Sequence, residues 1–168
     1  MTLILVGGGS RSGKSRYAQQ LALDATSTGR AIYIATAFVD DDVEMRERVQ
    51  RHRADRGDAF DTVEAPLALA DAIAATPSER PLVVDCLTVW LANILHAGQP
   101  ADHAAVVAAA RARAGLTVLV TNEVGEGIVP MHPVTRAFRD AAGFMNQHYA
   151  AAADAVYFLR FGIPQQVK

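Results

Sequence analysis

Cysteine is almost missing from this chain of 168 residues, Cys86 being the only one. That excludes an intramolecular disulfide and a Cys-rich zinc site, and it suits a reducing compartment. An excess of one charge is missing too. Lys and Arg number 16 against 18 Asp and Glu, too even a balance for the broad basic footprint of a nucleic-acid binder, so nucleic acid is not an expected partner. Hydrophobic residues make up 51% of the chain, which excludes intrinsic disorder. No apolar run approaches the roughly 18 residues of a membrane span, and the apolar start Leu3 to Val6 runs straight into glycines, unlike a signal peptide. A soluble, cytoplasmic protein without a membrane span is expected. There is no internal repeat, long linker or composition break, and the length matches about one domain, so residues 1–168 read as a single unit.

What is present is an alternation. Five short aliphatic or β-branched runs have strand length: Thr2 to Val6, Ala31 to Thr36, Leu82 to Cys86, Leu116 to Thr121 and Ala155 to Leu159. Between them lie helix-forming stretches at Lys14 to Leu23, Val43 to Arg53, Pro66 to Ala75, Ala101 to Ala114 and Val134 to Ala153. The polar cluster Gly98 to Asp102 reads as a loop. Near-continuous apolar strands separated by helices predict an α/β fold with a mostly parallel sheet and helices on both faces, because parallel strands need crossovers. Function is then expected at the carboxyl ends of the strands.

The first strand leads directly into Gly8, Gly9, Ser10, Arg11, Ser12, Gly13, Lys14 and Ser15, which satisfy the P-loop pattern of Gly, any four residues, Gly, Lys, Ser or Thr. Backbone N–H groups curl around phosphate oxygens in conformations that a Cβ would obstruct, and the following helix adds its positive N-terminal dipole. Lys14 is placed for the β and γ phosphates and the Ser15 hydroxyl for Mg²⁺. A dinucleotide fingerprint is disfavoured, because Gly7-x-Gly9-x-x-Ser12 lacks its third glycine.

Leu82-Val83-Val84-Asp85 delivers a carboxylate to the same edge of the sheet, the layout of a Walker B acid that shares the metal; a carboxylate capping the next helix is the alternative. Thr36 and Thr121-Asn122-Glu123 end two further strands in polar groups.

Asp40, Asp41 and Asp42 favour a helix start through the macrodipole. Downstream, Glu44, Arg48 and His52 recur at i, i+4 and i+8 on one face, with Arg51 and Arg53 flanking His52. A neutral imidazole can attack the α-phosphorus of a nucleotide while guanidinium groups stabilise the developing charge. By spacing alone, a solvated surface histidine is the ordinary reading of His52.

Taken together, these segments resemble one family. The P-loop, Tyr33-Ile34-Ala35-Thr36, Glu44-Met45-x-x-Arg48 leading to Arg51-His52-Arg53, Val84-Asp85-Cys86-Leu87-Thr88, and Thr121-Asn122-Glu123-Val124-Gly125-x-Gly127-Ile128-Val129-Pro130 through Phe138-Arg139-Asp140 resemble the adenosylcobinamide kinase and adenosylcobinamide-phosphate guanylyltransferase family. The resemblance covers nearly the whole chain. It implies a P-loop NTPase-like fold and a trimer, and a bifunctional enzyme of cobalamin biosynthesis. Such an enzyme uses ATP or GTP to phosphorylate adenosylcobinamide and then transfers GMP from GTP to adenosylcobinamide phosphate. By matching positions the resemblance implies His52 as the guanylyl carrier, with Ile34, Ala35, Thr36, Arg53, Glu64 and Asp85 beside the nucleotide. The alternatives are a stand-alone P-loop small-molecule kinase, which needs no nucleophilic His52, and a GTP-binding regulatory protein, which the lack of an Asn-Lys-x-Asp motif disfavours. The chain reads Asp42-Val43-Glu44-Met45 where the family pattern has Asp-Glu-Met, and Arg51 stands where some relatives have His.

The remaining candidates have plainer readings. His96, His103, His132 and His148 show no paired ligand spacing and read as surface or loop residues, and Trp90 reads as packing. Met131, His132 and Pro133 read as a loop opening the next helix. Gly125 and Gly127 admit either a close approach to a ligand or a sharp turn.

Overall fold

The computed structural model of the protein describes residues 2–27, 29–38 and 57–168. Seven strands form one sheet: β1 (Thr2–Gly8), β2 (Ala31–Ala35), β3 (Phe60–Glu64), β4 (Leu82–Asp85), β5 (Leu116–Val120), β6 (Ala155–Arg160) and β7 (Ile163–Gln166), in the order β3-β2-β4-β5-β1-β6-β7. All pairs are parallel except the β6–β7 hairpin. The described helices are α1 (Lys14–Asp24), α2 (Leu69–Ala75), α3 (Leu87–His96), α4 (His103–Arg111) and α5 (Pro133–Ala152). The expected helix over 43–53 lies outside the described residues, with Asp40, Asp41, Asp42, Glu44, Arg48, Arg51, His52 and Arg53.

The interior strands β1, β2, β4 and β5 are apolar on both sides because both faces are covered. On one face Leu3, Leu5, Ile32, Ile34, Leu82, Val84 and Leu119 pack with residues of α2, α3, α4 and α5. On the other, Ile4, Val6, Tyr33, Val83, Val118 and Val120 pack with Ala18 and Ala22 of α1. Adjacent residues of one strand thus enter opposite cores, as the two-residue period requires.

Three elements differ from the sequence expectation. β3 and β7 are additional strands, and Leu87 to His96 forms a helix in which Leu87, Trp90, Leu91 and Ile94 are buried. Trp90 does pack, and its Nε1–H donates to the Leu67 carbonyl at 2.8 Å. His103 is corrected: it opens α4 and lies against the rings of Trp90, Tyr149 and His148. Burial, then the nearby His148, lowers its pKa. His132 is the N-cap of α5 and Pro133 its first residue, as a loop opening a helix should be.

The parallel register aligns one rim. Gly8 is opposite Leu159, Asp85 opposite both Val120 and Ala35, and Ala35 opposite Glu64. At the other end, the buried Arg113 pins the turn before β4, donating to the carbonyls of Pro77 at 3.1 Å and Arg80 at 2.5 Å.

Candidate active site

The loop after β1 has the backbone that the motif demands. Gly8 has φ 147°, and a Cβ there would stand 2.6 Å from the Leu159 carbonyl oxygen and 2.8 Å from Ser12 Oγ. Gly13 has φ 95° and is the N-cap of α1, so no side chain closes the end of that helix. Arg11 also takes a positive φ, 54°. The N–H groups of the first turn of α1, with no capping side chain and no acidic residue among them, therefore face the loop as an end suited to an anion.

Lys14 is buried and folds back into the loop, its Nζ donating to the Gly9 carbonyl at 2.5 Å and to Ser12 Oγ at 3.4 Å. A phosphate oxygen competes well for this ammonium, since a charge-assisted bond to an anion is stronger than one to a neutral carbonyl. Ser15 follows in the first turn of α1 and is half-buried.

Asp85 ends β4, two places from β1 across β5. Its Oδ2 accepts from the Tyr33 hydroxyl at 2.7 Å. The Ser15 hydroxyl and the Asp85 carboxylate are hard oxygen donors. No cluster of three His, Cys, Asp or Glu able to hold a metal exists among the described residues. Two protein oxygens, with phosphate and water completing the shell, fit Mg²⁺ better than an ion that needs an all-protein cage.

Thr36 lies at the end of β2, 0% exposed. Its Oγ1 accepts from the Cys86 N–H and donates to the Cys86 carbonyl, both at 2.8 Å, while its own carbonyl accepts from Asn93 Nδ2 at 2.7 Å. Thr36 thus clamps the ends of β2 and β4 together and offers the rim no free hydroxyl. Ile34 is entirely in the core, Ala35 is partly exposed and Glu64 is exposed at the end of β3. Gly8 to Ser15 and Asp85 are brought to one rim. Glu64 stands four places from β1 on that rim, on the order of 19 Å away at the usual strand spacing. His52 and Arg53 lie outside the described residues.

Behind the rim is a polar ring that sequence reasoning missed. Asn122 N–H donates to Thr88 Oγ1 at 2.7 Å, Thr88 and Thr121 hydroxyls are 3.1 Å apart, Thr121 Oγ1 donates to Asn146 Oδ1 at 2.6 Å, and Asn146 Nδ2 returns to the Asn122 carbonyl at 3.2 Å. Each member both gives and receives when Thr88 donates to Thr121, so the ring closes and its bonds reinforce one another. It joins α3, the end of β5 and α5. It also fixes the stretch leading to Glu123, whose N–H donates to the Gly8 carbonyl at 3.0 Å. Asn122 Nδ2 reaches Cys86 Sγ at 3.6 Å. Burial, then the neighbouring Asp85, pushes the Cys86 thiol up to about 12, so it is a protonated core group at neutral pH.

Between β1 and α5 a cavity of about 320 Å³ opens beside Gly8, lined by Gly7, Glu123, Gly143, Gln147 and Tyr157 among others. Gly7 and Gly143 contribute no side chain to its lining.

The family described as cobinamide kinase / cobinamide phosphate guanyltransferase matches residues 4–167. Among curated relatives, the bifunctional adenosylcobalamin biosynthesis protein CobP of Pseudomonas aeruginosa is 39% identical over 170 residues, covering 98% of this chain and 96% of the relative. The CobU proteins of the same description from Salmonella typhimurium and Escherichia coli are 39% and 38% identical over 184 residues, each covering 99% of both chains. Among solved structures, the flagellar accessory protein FlaH of Methanocaldococcus jannaschii has a TM-score of 0.55 at 11% identity, covering 99% of this chain and 78% of that one. A second solved structure, an ATPase domain, has a TM-score of 0.54 at 11% identity, covering 95% of this chain and 69% of that one. These last two likenesses concern the fold alone.

Proposed function

The chain belongs to the cobinamide kinase / cobinamide phosphate guanyltransferase family, and on that premise we propose a route for its two reactions. In the first, the hydroxyl oxygen of the aminopropanol arm of adenosylcobinamide attacks the γ-phosphorus of ATP or GTP. The new O–P bond forms as the bond from the γ-phosphorus to the β-bridging oxygen breaks, and the hydroxyl proton is lost. In the second, a ring nitrogen of His52 attacks the α-phosphorus of GTP and pyrophosphate leaves. A phosphate oxygen of adenosylcobinamide phosphate then displaces the histidine from the guanylyl phosphorus, giving adenosylcobinamide-GDP and the free imidazole.

The protein's part is to position the reactants and neutralise charge. The N–H groups of Gly8 to Ser15 cradle the phosphates, and Lys14 leaves the Gly9 carbonyl for the β and γ oxygens. Ser15 and Asp85 would hold Mg²⁺, which when bound offsets the charge that develops on the phosphates. Arg53 accompanies His52, while Ala35, Thr36, Glu64 and Asp85 form the guanine-nucleotide side of the rim, with Ile34 behind them in the core. For Thr36 that part is to hold the ends of β2 and β4 in place. The reading is of a cytoplasmic trimer. No helix among the described residues is long and apolar enough to cross a membrane. The exposed Ile128, Met131, Val134 and Phe144 are apolar area for contacts between copies.

The observation that carries this reading is the family match along residues 4–167 together with a P-loop closed around Lys14. The test is to incubate the protein with Mg²⁺ and GTP labelled at the α-phosphate, denature it and map the retained label. Acid-labile, alkali-stable GMP on His52, absent from His52→Ala, is expected. An unlabelled wild type that still binds GTP would overturn the covalent route and leave a P-loop kinase.

A further inference from the structure

The chemistry above leaves one side chain at the rim without a role. Phe161 is 97% exposed and occupies the turn of the β6–β7 hairpin at φ 55°, followed by Gly162 at φ 78°. Two consecutive positive φ values are the signature of a type I′ turn, where Asn and Gly are favoured and a bulky side chain is strained. Phenylalanine is therefore a poor choice here for folding twice over, by backbone conformation and by exposed apolar area. A strained, exposed aromatic beside a ligand loop points to a ligand.

The turn is built against the phosphate loop. Gly162 N–H donates to the Ser12 carbonyl at 3.1 Å. A Cβ on Gly13 would stand 3.4 Å from Gly162 Cα, and Arg16 reaches within 3.8 Å of where Gly162 would carry one. Phe161 thus borders the loop on the side away from β5. On the β5 side the neighbour is Glu123, and a carboxylate repels a chain of phosphates. The other phenylalanine of the hairpin, Phe158, is already engaged, with the Arg160 guanidinium 5.3 Å from its ring centre.

We infer that Phe161 is a stacking shelf for the purine ring of the nucleotide whose triphosphate lies on Gly8 to Ser15, the phosphoryl donor of the kinase step, with Arg16 alongside. This rests on the P-loop reading proposed above. The shelf is separate from the guanine side at Thr36, Glu64 and Asp85, because β2, β3 and β4 lie on the opposite side of β1 from β6 and β7. An aromatic face stacks on any base without reading its hydrogen-bonding edge. Adenine and guanine nucleotides are therefore held alike.

The experiment compares wild type with Phe161→Asn, which suits the turn, by calorimetric titration with Mg²⁺ and ATP, GTP or inorganic triphosphate, alongside thermal unfolding. The variant is expected to bind ATP and GTP weaker by between about five-fold and a hundred-fold, the worth of one stack. Its affinity for triphosphate should change less than two-fold, and its Tm should hold or rise. Unchanged ATP affinity, or an equal loss for triphosphate, overturns the shelf. So does a change of oligomeric state at constant nucleotide affinity, which makes Phe161 a contact between copies. A wild type that binds neither triphosphate nor nucleotide overturns the P-loop reading and the shelf together.

Discussion

Gly8 has no tolerance for a methyl group. At φ 147°, with a Cβ 2.6 Å from the Leu159 carbonyl oxygen, Gly8→Ala is both strained and obstructed by backbone. Denaturant unfolding should show a loss of about 2–5 kcal/mol, with phosphate binding lost as well. Cys86 makes a different prediction. Its thiol is held up to about 12 by burial and then by Asp85, while in the unfolded chain it ionises near the usual value of about 8.5. The folded state then binds more protons than the unfolded one over that interval, so stability falls as pH rises from about 9 toward 12. Cys86→Ala should flatten the alkaline limb of a Tm-against-pH curve, and thiol reagents at pH 8 should leave the native thiol untouched. At this scale the sequence was informative about the backbone of the loop, since Gly8 and Gly13 take the positive φ that the motif leads one to expect and Lys14 opens α1. It was silent on Thr36. A threonine at a strand end reads the same whether its hydroxyl faces a ligand or clamps Cys86.

Among elements, the interior strands were legible and the edges were not. β1, β2, β4 and β5 are buried on both faces, and burial on both faces is what makes a run continuously apolar. β3 reads Phe-Asp-Thr-Val-Glu and β7 reads Ile-Pro-Gln-Gln, each largely exposed, so hydrophobic pattern does not report them. α3 escaped for the opposite reason, being so apolar that helical periodicity has little contrast. The polar ring was invisible because its members, Thr88, Thr121, Asn122 and Asn146, meet only once α3, β5 and α5 are assembled. Thr88→Val keeps the shape, leaves the Asn122 N–H without its acceptor, and should cost about 1–3 kcal/mol in chemical denaturation. Gly143 offers a gain instead. It lies inside α5, and a Cβ there meets nothing within 4 Å. Gly143→Ala should therefore raise stability by about 0.5–1 kcal/mol, read as a higher Tm.

For the molecule as a whole, α/β alternation predicted a parallel sheet covered on both faces, and the sheet order completes that picture. One carboxylate ties several of its layers. Asp154, between α5 and β6, accepts from the Leu3 N–H at the start of β1 at 2.7 Å and from Arg111 at the end of α4 at 2.8 Å. These contacts, the Leu3 bond first, hold its pKa below the usual carboxylate range. The stabilisation is present above that range and is lost as pH falls through the depressed value, so acid unfolding of Asp154→Asn should show a shallower loss below about pH 4 than wild type. β7 has a consequence for how copies can meet. Its two-residue turn makes Arg160 and Ile163 a bonded pair, so Pro164, one step further and opposite Leu159, turns its nitrogen outward. A strand arriving at that margin finds a ring where it needs a donor. Growth by strand addition, the route to fibrils and to swapped sheets, is blocked along this border, and assembly is directed to surfaces made of side chains.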